Sequence, residues 1–491
     1  MTSCSLAEWR MGLDAGDLSP LFLGHRGFDQ MDQQEGKLHA IASHDKDLTL
    51  DLAQVAEDRL RQGERGPMLG IPVVLKDNLH WQGSSLGNGS RIMAGYRSPY
   101  NATVVSRLLR AGAVPLAKAA MDEFAMGSSG EHCAFGPTHN PWDLDRVPGG
   151  SSSGSIVSVA AGYVPFALGS DTGGSVRMPG SFCNITALRP TYGVLSRFGV
   201  TAMASSLDQV GPVAASARDL AAGFSVMVGR DPLDSTSVDL PETHRLANLT
   251  PTPLKGLRIG LPKEYFAEGI DPAVRRTLGT ALERLASEGV ELVEVSLPHT
   301  TYAIETYYLI CTSEVSSNLS RYDGVRYGAR KNAESLSDMI SETRDEGFGA
   351  EVKRRILLGT FCLSKGYYDA FYLKALKART LITRDFTEAF KQVDFLATPV
   401  SPTVAFKLGE KVQDPMAMYL MDIFTVTTAL AAMPCMSVPA GFAPPPDDPS
   451  RSLPVGLQFI GPPLSDVRLL ELAHAFQQIT DHHTQRPPLA V

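Results

Sequence analysis

Lys76 closes an apolar run, IPVVLKDN (71–78), and two serine-bearing, glycine-rich segments follow it, GGSSSG (149–154) and GSDTGGS (169–175). A lysine with an ordinary pKa near 10.4 is no base at neutral pH. Burial disfavours its charged form and can lower that value by several units. The apolar run supplies such a setting, and along a strand Asp77 points to the opposite face from Lys76. Ser175 ends SDTGGS, where small residues let the backbone N–H groups of Thr172, Gly173 and Gly174 converge on one spot as an oxyanion hole. A serine hydroxyl both donates and accepts, so Ser151 can relay a proton between a Ser175 nucleophile and a Lys76 base. Such a site hydrolyses an acyl bond without histidine. Each part also has a plainer use: Ser175 in a strand-to-loop turn, Ser151 (or Ser152 or Ser153) as a helix N-cap, and Lys76 at an exposed strand end.

A competing pattern overlaps the first turn. Gly150-Ser151-Ser152-Ser153-Gly154 fits G-x-S-x-G, which would make Ser152 a nucleophile served by a downstream histidine such as His474, His482 or His483. The residues before it, THNPWDLDRVPGG, do not read as the buried strand that this turn requires.

The elements that must hold these residues alternate. LTLDLAQVAEDRL (48–60) has helical spacing, GIPVVLKD reads as a buried strand, Asn101 is placed to cap ATVVSRLLRAG, and VPLAKA reads as a strand. A helix through SIVSVAAG and a strand PFALGSD follow. This rhythm predicts an α/β fold with a large mixed, mostly parallel central sheet, helices on both faces and a helical insertion. Residues 1–60 are an N-terminal helical region, 61–230 the core with the chemistry, and 231–255 a surface connection rich in Pro, Thr and Asp. Residues 256–299 form a βαβ unit whose helix has Asp271 as N-cap and Gly289 just past its end. Residues 300–392 are helical in pattern, and 393–491 return to strand and helix.

Composition narrows the function. The 491 residues are 43% hydrophobic and 20% charged, with net charge −8. An acidic chain is poorly suited to gripping a phosphate backbone, so any nucleic acid would be held by another subunit. No apolar run reaches membrane-spanning length, and the N-terminus lacks the apolar stretch of a secretory signal. The six cysteines are scattered, without CxxC or zinc spacing, as expected of reduced thiols in the cytoplasm or an organellar matrix.

GGSSSGS with GSDTGGSVRMPGSFC and VLKDN resembles the amidase signature family of Ser-Ser-Lys amidases. The blocks MDEFAMGSSGEHCAFGPTHNPWDLDRVPGGSS, PTYGVLSRFGVTAMASSLDQVGP, EGFGAEVKRRILLGT, GYYDAFYLKALKART and GEKVQDPMAMYLMDIFTV are similar to one branch of it. That branch holds the A subunits of glutamyl-tRNA(Gln)/aspartyl-tRNA(Asn) amidotransferases. The resemblance implies Lys76 as base, Ser151 as bridging serine and Ser175 as acyl-forming nucleophile. It implies that Arg355 and Asp422 hold the α-carboxylate and α-amino groups of glutamine, with Tyr307, or the adjacent Tyr308, against the substrate. It further implies a tRNA-binding B subunit that uses ATP and Mg²⁺, a small C subunit, and no cofactor in this chain. The chain departs from the family's usual glycine at Ser153, Asn184 and Ala187, and from its lysine at Arg189, so the segment after Ser175 is expected to be repacked. Asparagine tolerates a left-handed backbone better than most residues, which suits position 184.

Overall fold

A computed structural model describes residues 5–266 and 269–490. Its eleven strands form a single sheet. In chain order they are β1 (Ile41–Ser43), β2 (Pro72–Lys76), β3 (Val114–Ala119), β4 (Phe166–Asp171), β5 (Thr186–Arg189), β6 (Gln209–Ala214), β7 (Arg258–Pro262), β8 (Glu291–Val295), β9 (Phe395–Pro399), β10 (Cys435–Ala443) and β11 (Leu453–Ile460). Across the sheet they run β1-β3-β2-β4-β6-β5-β10-β11-β9-β7-β8.

The sheet is mixed and flanked by helices as expected, but it is not mostly parallel. Parallel pairing is confined to β3/β2/β4 and to β8/β7/β9, and the other neighbours are antiparallel. Alternation of apolar runs shows the order of elements and not their direction. Direction is decided by the connections, and the short loop after β10 can only return β11 antiparallel. β2 lies between parallel neighbours and every one of its side chains is buried, which is why it reads as an unbroken apolar run ending in a lysine.

Most elements lie where their patterns place them. Asp271 caps the helix Pro272–Ser287 by accepting from Ala273 N and Val274 N, and Gly289 follows with φ +90°. Between β8 and β9 the regular elements are all helical, including Ala303–Asn318, Leu336–Gly347, Ala350–Leu363 and Lys374–Ala389. Asn101 is not a cap. Its Oδ1 accepts from Gln82 N at 2.7 Å, and the helix starts at Thr103, with Ala102 in the cap position. The stretch 231–255 is more than a surface connection. Asp231 and Asp234 are buried acceptors for Ser196 Oγ and Arg197 N, and Leu240 and Leu246 sit in the core.

No helix among the described residues is long and apolar enough to cross a membrane. Cys133, Cys183, Cys311, Cys362 and Cys435 are free thiols; Cys4 lies outside the described residues.

Candidate active site

Lys76 at the end of β2, the turn before the helix Ser153–Ala160 and the turn after β4 meet at one edge of the buried core. Lys76 is fully buried, and its Nζ lies 2.8 Å from Ser151 Oγ, 2.9 Å from Ser152 Oγ and 3.0 Å from Ser170 Oγ. Burial lowers its pKa to about 7 against the opposing pull of Asp122, Asp171 and Asp208. Asp77 points away, as strand alternation requires, and faces Lys118 at 3.6 Å. The amine at the centre of three hydroxyls is therefore available as a base near neutral pH.

Ser151 follows a cis peptide bond at Gly150. Its carbonyl accepts from Asp122 N, and the Asp122 carboxylate accepts from Gly130 N and His132 N, tying this turn to the neighbouring loop. A Cβ on Gly150 would collide with that carboxylate. Ser152 lacks the histidine partner that an elbow nucleophile needs: its Oγ donates to Ser170 O at 3.0 Å and contacts Lys76, with no histidine among its partners in the described residues. This also explains why Ser152 sits at the N-cap position yet makes no side-chain capping bond.

Ser175 is almost buried, and its carbonyl accepts from Ser152 N, which fastens the two turns together. The backbone N–H groups of Thr172, Gly173 and Gly174 donate no hydrogen bond among the described residues. Buried amides without acceptors are costly, and grouped beside a hydroxyl they suit a developing oxyanion. Both glycines are required sterically. Gly174 has φ +149°, and a Cβ at Gly173 would lie 2.6 Å from Tyr307 OH. The turn is braced from behind. Asp171 pairs with Arg177 at 2.9 Å and with Arg189 at 3.3 Å, all three fully buried. Burial alone would raise the Asp171 carboxyl, but Arg177 above all, and Arg189, hold it at about 2.

Tyr307 and Tyr308 of the helix Ala303–Asn318, Arg355 of the helix Ala350–Leu363 and Asp422 in the turn after the helix Pro415–Leu420 come together. Arg355 is buried with Nε donating to Glu351 Oε1 at 2.8 Å, while its Nη1 and Nη2 make no hydrogen bond among the described residues. Tyr308 and Tyr419, stacked at 3.9 Å, lie beside its guanidinium. Asp422 accepts from Ser128 Oγ at 2.8 Å and from Tyr308 OH at 3.3 Å; burial raises its carboxyl to about 7. Tyr307 and Tyr308 take different places: Tyr307 OH is beside Gly173 and Tyr308 is beside Asp422 and Arg355. A cation with free donors and an anion, on one aromatic wall, can fix the two ends of a free amino acid.

Sequence reasoning missed Asn78, Ser128, Ser170, Glu351 and Tyr419. Only Ser170 and Asn78 had a local signal, since each lies in a segment that also carries Ser175 or Lys76. At the positions that depart from the family pattern, the side chains have defined contacts. Ser153 Oγ is hydrogen-bonded to Thr138 Oγ1 at 3.0 Å, and Ala187 is buried in β5. Asn184 has φ +61° and donates to His482 O at 2.7 Å.

With this geometry, the chain belongs to the amidase family: the family profile described as Amidase matches residues 26–470. It is 52% identical to the A subunit of glutamyl-tRNA(Gln) amidotransferase from Carboxydothermus hydrogenoformans, over 97% of each chain. It is also 52% identical to the protein of the same name from Methanosarcina mazei, over 87% of this chain and 88% of the other. Among solved structures, the A subunit of glutamyl-tRNA(Gln) amidotransferase from Thermotoga maritima superposes with TM-score 0.77 at 38% identity, covering 94% of this chain and 92% of that one. The peptide amidase of Stenotrophomonas maltophilia superposes with TM-score 0.81 at 29% identity, covering 99% and 98%.

Proposed function

We propose that this chain is the glutamine-hydrolysing A subunit of a tRNA-dependent amidotransferase, supplying ammonia for the conversion of Glu-tRNA(Gln) to Gln-tRNA(Gln). The observation that carries the reading is the buried Lys76 amine 2.8 Å from Ser151 Oγ, beside a Ser175 turn whose amides are free. Ser175 Oγ attacks the side-chain amide carbon of glutamine. Its proton passes to Ser151, whose own proton passes to Lys76 Nζ. The N–H groups of Thr172, Gly173 and Gly174 stabilise the oxyanion. On collapse the C–N bond breaks, the proton returns through Ser151 to the leaving nitrogen, and ammonia departs. Water then hydrolyses the glutamyl ester by the same relay, releasing glutamate and Ser175. Arg355 binds the α-carboxylate and Asp422 the α-ammonium, which selects a free amino acid over a peptide. Tyr307 packs the side chain at Gly173, and Tyr308 packs the backbone end.

Ammonia has to reach an acceptor, and this chain, with net charge −8, does not supply a tRNA surface by charge. The partners are a B subunit that binds tRNA and uses ATP with Mg²⁺, and a small C subunit, in a cytoplasmic heterotrimer serving protein biosynthesis. This chain itself needs no cofactor. In the assembled complex, Ser175→Ala abolishes glutamine-dependent amidation of Glu-tRNA(Gln) and spares ammonia-dependent amidation. Persistent glutamine use by that variant would remove Ser175 from the role. Brisk turnover of simple amides by the chain alone would identify a stand-alone amidase instead.

A further inference from the structure

Lys76 faces three hydroxyls, and the relay uses only one of them. A neutral amine has two N–H donors and one lone pair. Ser152 Oγ has committed its proton to Ser170 O, so it accepts one of the two N–H groups. Ser151 and Ser170 must then divide what is left: one accepts the second N–H and the other donates to the lone pair. For the relay to run, the donor has to be Ser151.

Asn78 decides between them. Its Nδ2 donates to Ser170 Oγ at 2.9 Å, and its Oδ1 is buried without a hydrogen-bond partner. While Nδ2 faces Ser170, the Ser170 proton has no acceptor other than Lys76 Nζ, 3.0 Å away, and the lone pair is capped. A half-turn of the amide exchanges two groups of nearly equal size and needs no new space. It presents Oδ1 to Ser170, whose proton turns away from the lysine. Ser170 then accepts the second N–H, and the lone pair opens to Ser151. The same orientation suits the ammonium formed when Lys76 takes the proton, because all three hydroxyls then accept from it. The amide end facing away from Ser170 is Oδ1, which has no hydrogen-bond partner among the described residues, so no bond there holds the amide in this orientation. The charged groups around Lys76, namely Asp122, Asp171 and Asp208, are common to both arrangements.

We infer that Asn78 and Ser170 are positioning residues that switch Lys76 between a capped and an armed state by a half-turn of the Asn78 amide. This rests on Lys76 being the base of the proposed reaction.

The test is glutamate release from glutamine by the chain assembled with its partner subunits. Asn78→Ala strands the Ser170 proton on Lys76, and kcat falls about 10- to 100-fold with KM for glutamine unchanged. Adding Ser170→Ala removes the cap, and kcat recovers to about 10-fold above Asn78→Ala. A double variant as slow as Asn78→Ala, or slower, overturns the switch, because simple structural damage accumulates and is not relieved. If Asn78→Ala fails to fold by thermal melting, Asn78→Leu, of similar size and without polar ends, replaces it in both the single and the double variant, with the same outcomes supporting or overturning the switch. Glutamine hydrolysis that survives Lys76→Ala would instead overturn the base assignment, a result distinct from any of these.

Discussion

Arg189 Nη1 lies 3.3 Å from Asp171 Oδ1 with both side chains fully buried, and the same guanidinium donates to Asp171 O and, through Nη2 at 2.8 Å, to Leu207 O. One side chain thus fastens β5 to the end of β4, just ahead of Ser175, and to the segment before β6. A lysine, as a point donor, cannot span these acceptors. Arg189→Lys is expected to lower stability by about 1–3 kcal/mol, and Arg189→Met by about 3–5 kcal/mol because it leaves buried acceptors and charge uncompensated. Denaturant unfolding of the two variants checks both values, and equal stability of Arg189→Met and the parent would contradict them.

Lys76, as the proposed base, is expected to set an acid limit on activity. With its pKa lowered to about 7, the amine is protonated below that pH and glutamine hydrolysis falls as pH drops through it. The stability effect has the same origin. From about pH 7 to pH 10.5 the unfolded chain holds a proton on this lysine that the folded chain does not, so stability rises with pH across that window. Lys76→Met flattens that slope as well as ending activity. A pH series of urea midpoints for the two proteins measures it, and identical slopes would place the charged form in the fold.

Asp422 carries the opposite sign. Its carboxyl is raised to about 7 by burial, so between pH 3.8 and 7 the unfolded chain is ionised while the folded one is not. The cost of that mismatch grows as pH rises through the window and is complete above it. Asp422→Asn is therefore expected to gain on the order of 1–3 kcal/mol at pH 8, while KM for glutamine rises at least about 10-fold from the lost charge. Thermal melting and steady-state kinetics report the two effects separately. A variant that keeps KM would show that the α-ammonium group binds elsewhere.

Gly173 has no room for a side chain, since a Cβ there would lie 2.6 Å from Tyr307 OH and 2.7 Å from its Cζ. Gly173→Ala should displace the turn and misaim its amides. A fall in kcat of about 100- to 1,000-fold is expected, with little change in KM. Loss in KM alone would assign the turn to ground-state binding.

Asn184 does more than tolerate its backbone angle. With φ +61° it ties the C-terminal segment through His482 O at 2.7 Å and Gln485 O at 3.3 Å. Asn184→Gly keeps the angle and loses the ties, at an expected cost of about 1–2 kcal/mol. Earlier proteolysis near residue 482 in that variant would be the accompanying sign, and unchanged protection would make the ties incidental.

Lys76, Ser151 and Ser175 could be singled out because their local surroundings suggest the roles proposed for them. A lysine ending an apolar run is buried by that run, and amides beside successive glycines are exposed by them. Arg355 and Asp422 were singled out only through family resemblance, since each looks like an ordinary helix charge or cap when read in isolation. Strand direction was not legible. Neither was the true role of Asn101, whose side chain serves the backbone of Gln82 in a turn and not the helix that follows.

What the sequence determined by itself is therefore local: which runs are apolar, where helices such as Pro272–Ser287 begin and end, and which turns expose their N–H groups. Tertiary structure alone decided that Ser128 meets Asp422 across 294 positions, that Glu351 steadies Arg355 and Tyr419 together, and that Asn78 reaches Lys76 through Ser170. Hydrogen bonds and ion pairs act over about 3 Å with no memory of chain separation. Their partners are set by how the strands are ordered in the sheet and how the helices pack on it, and no local window of residues contains that order.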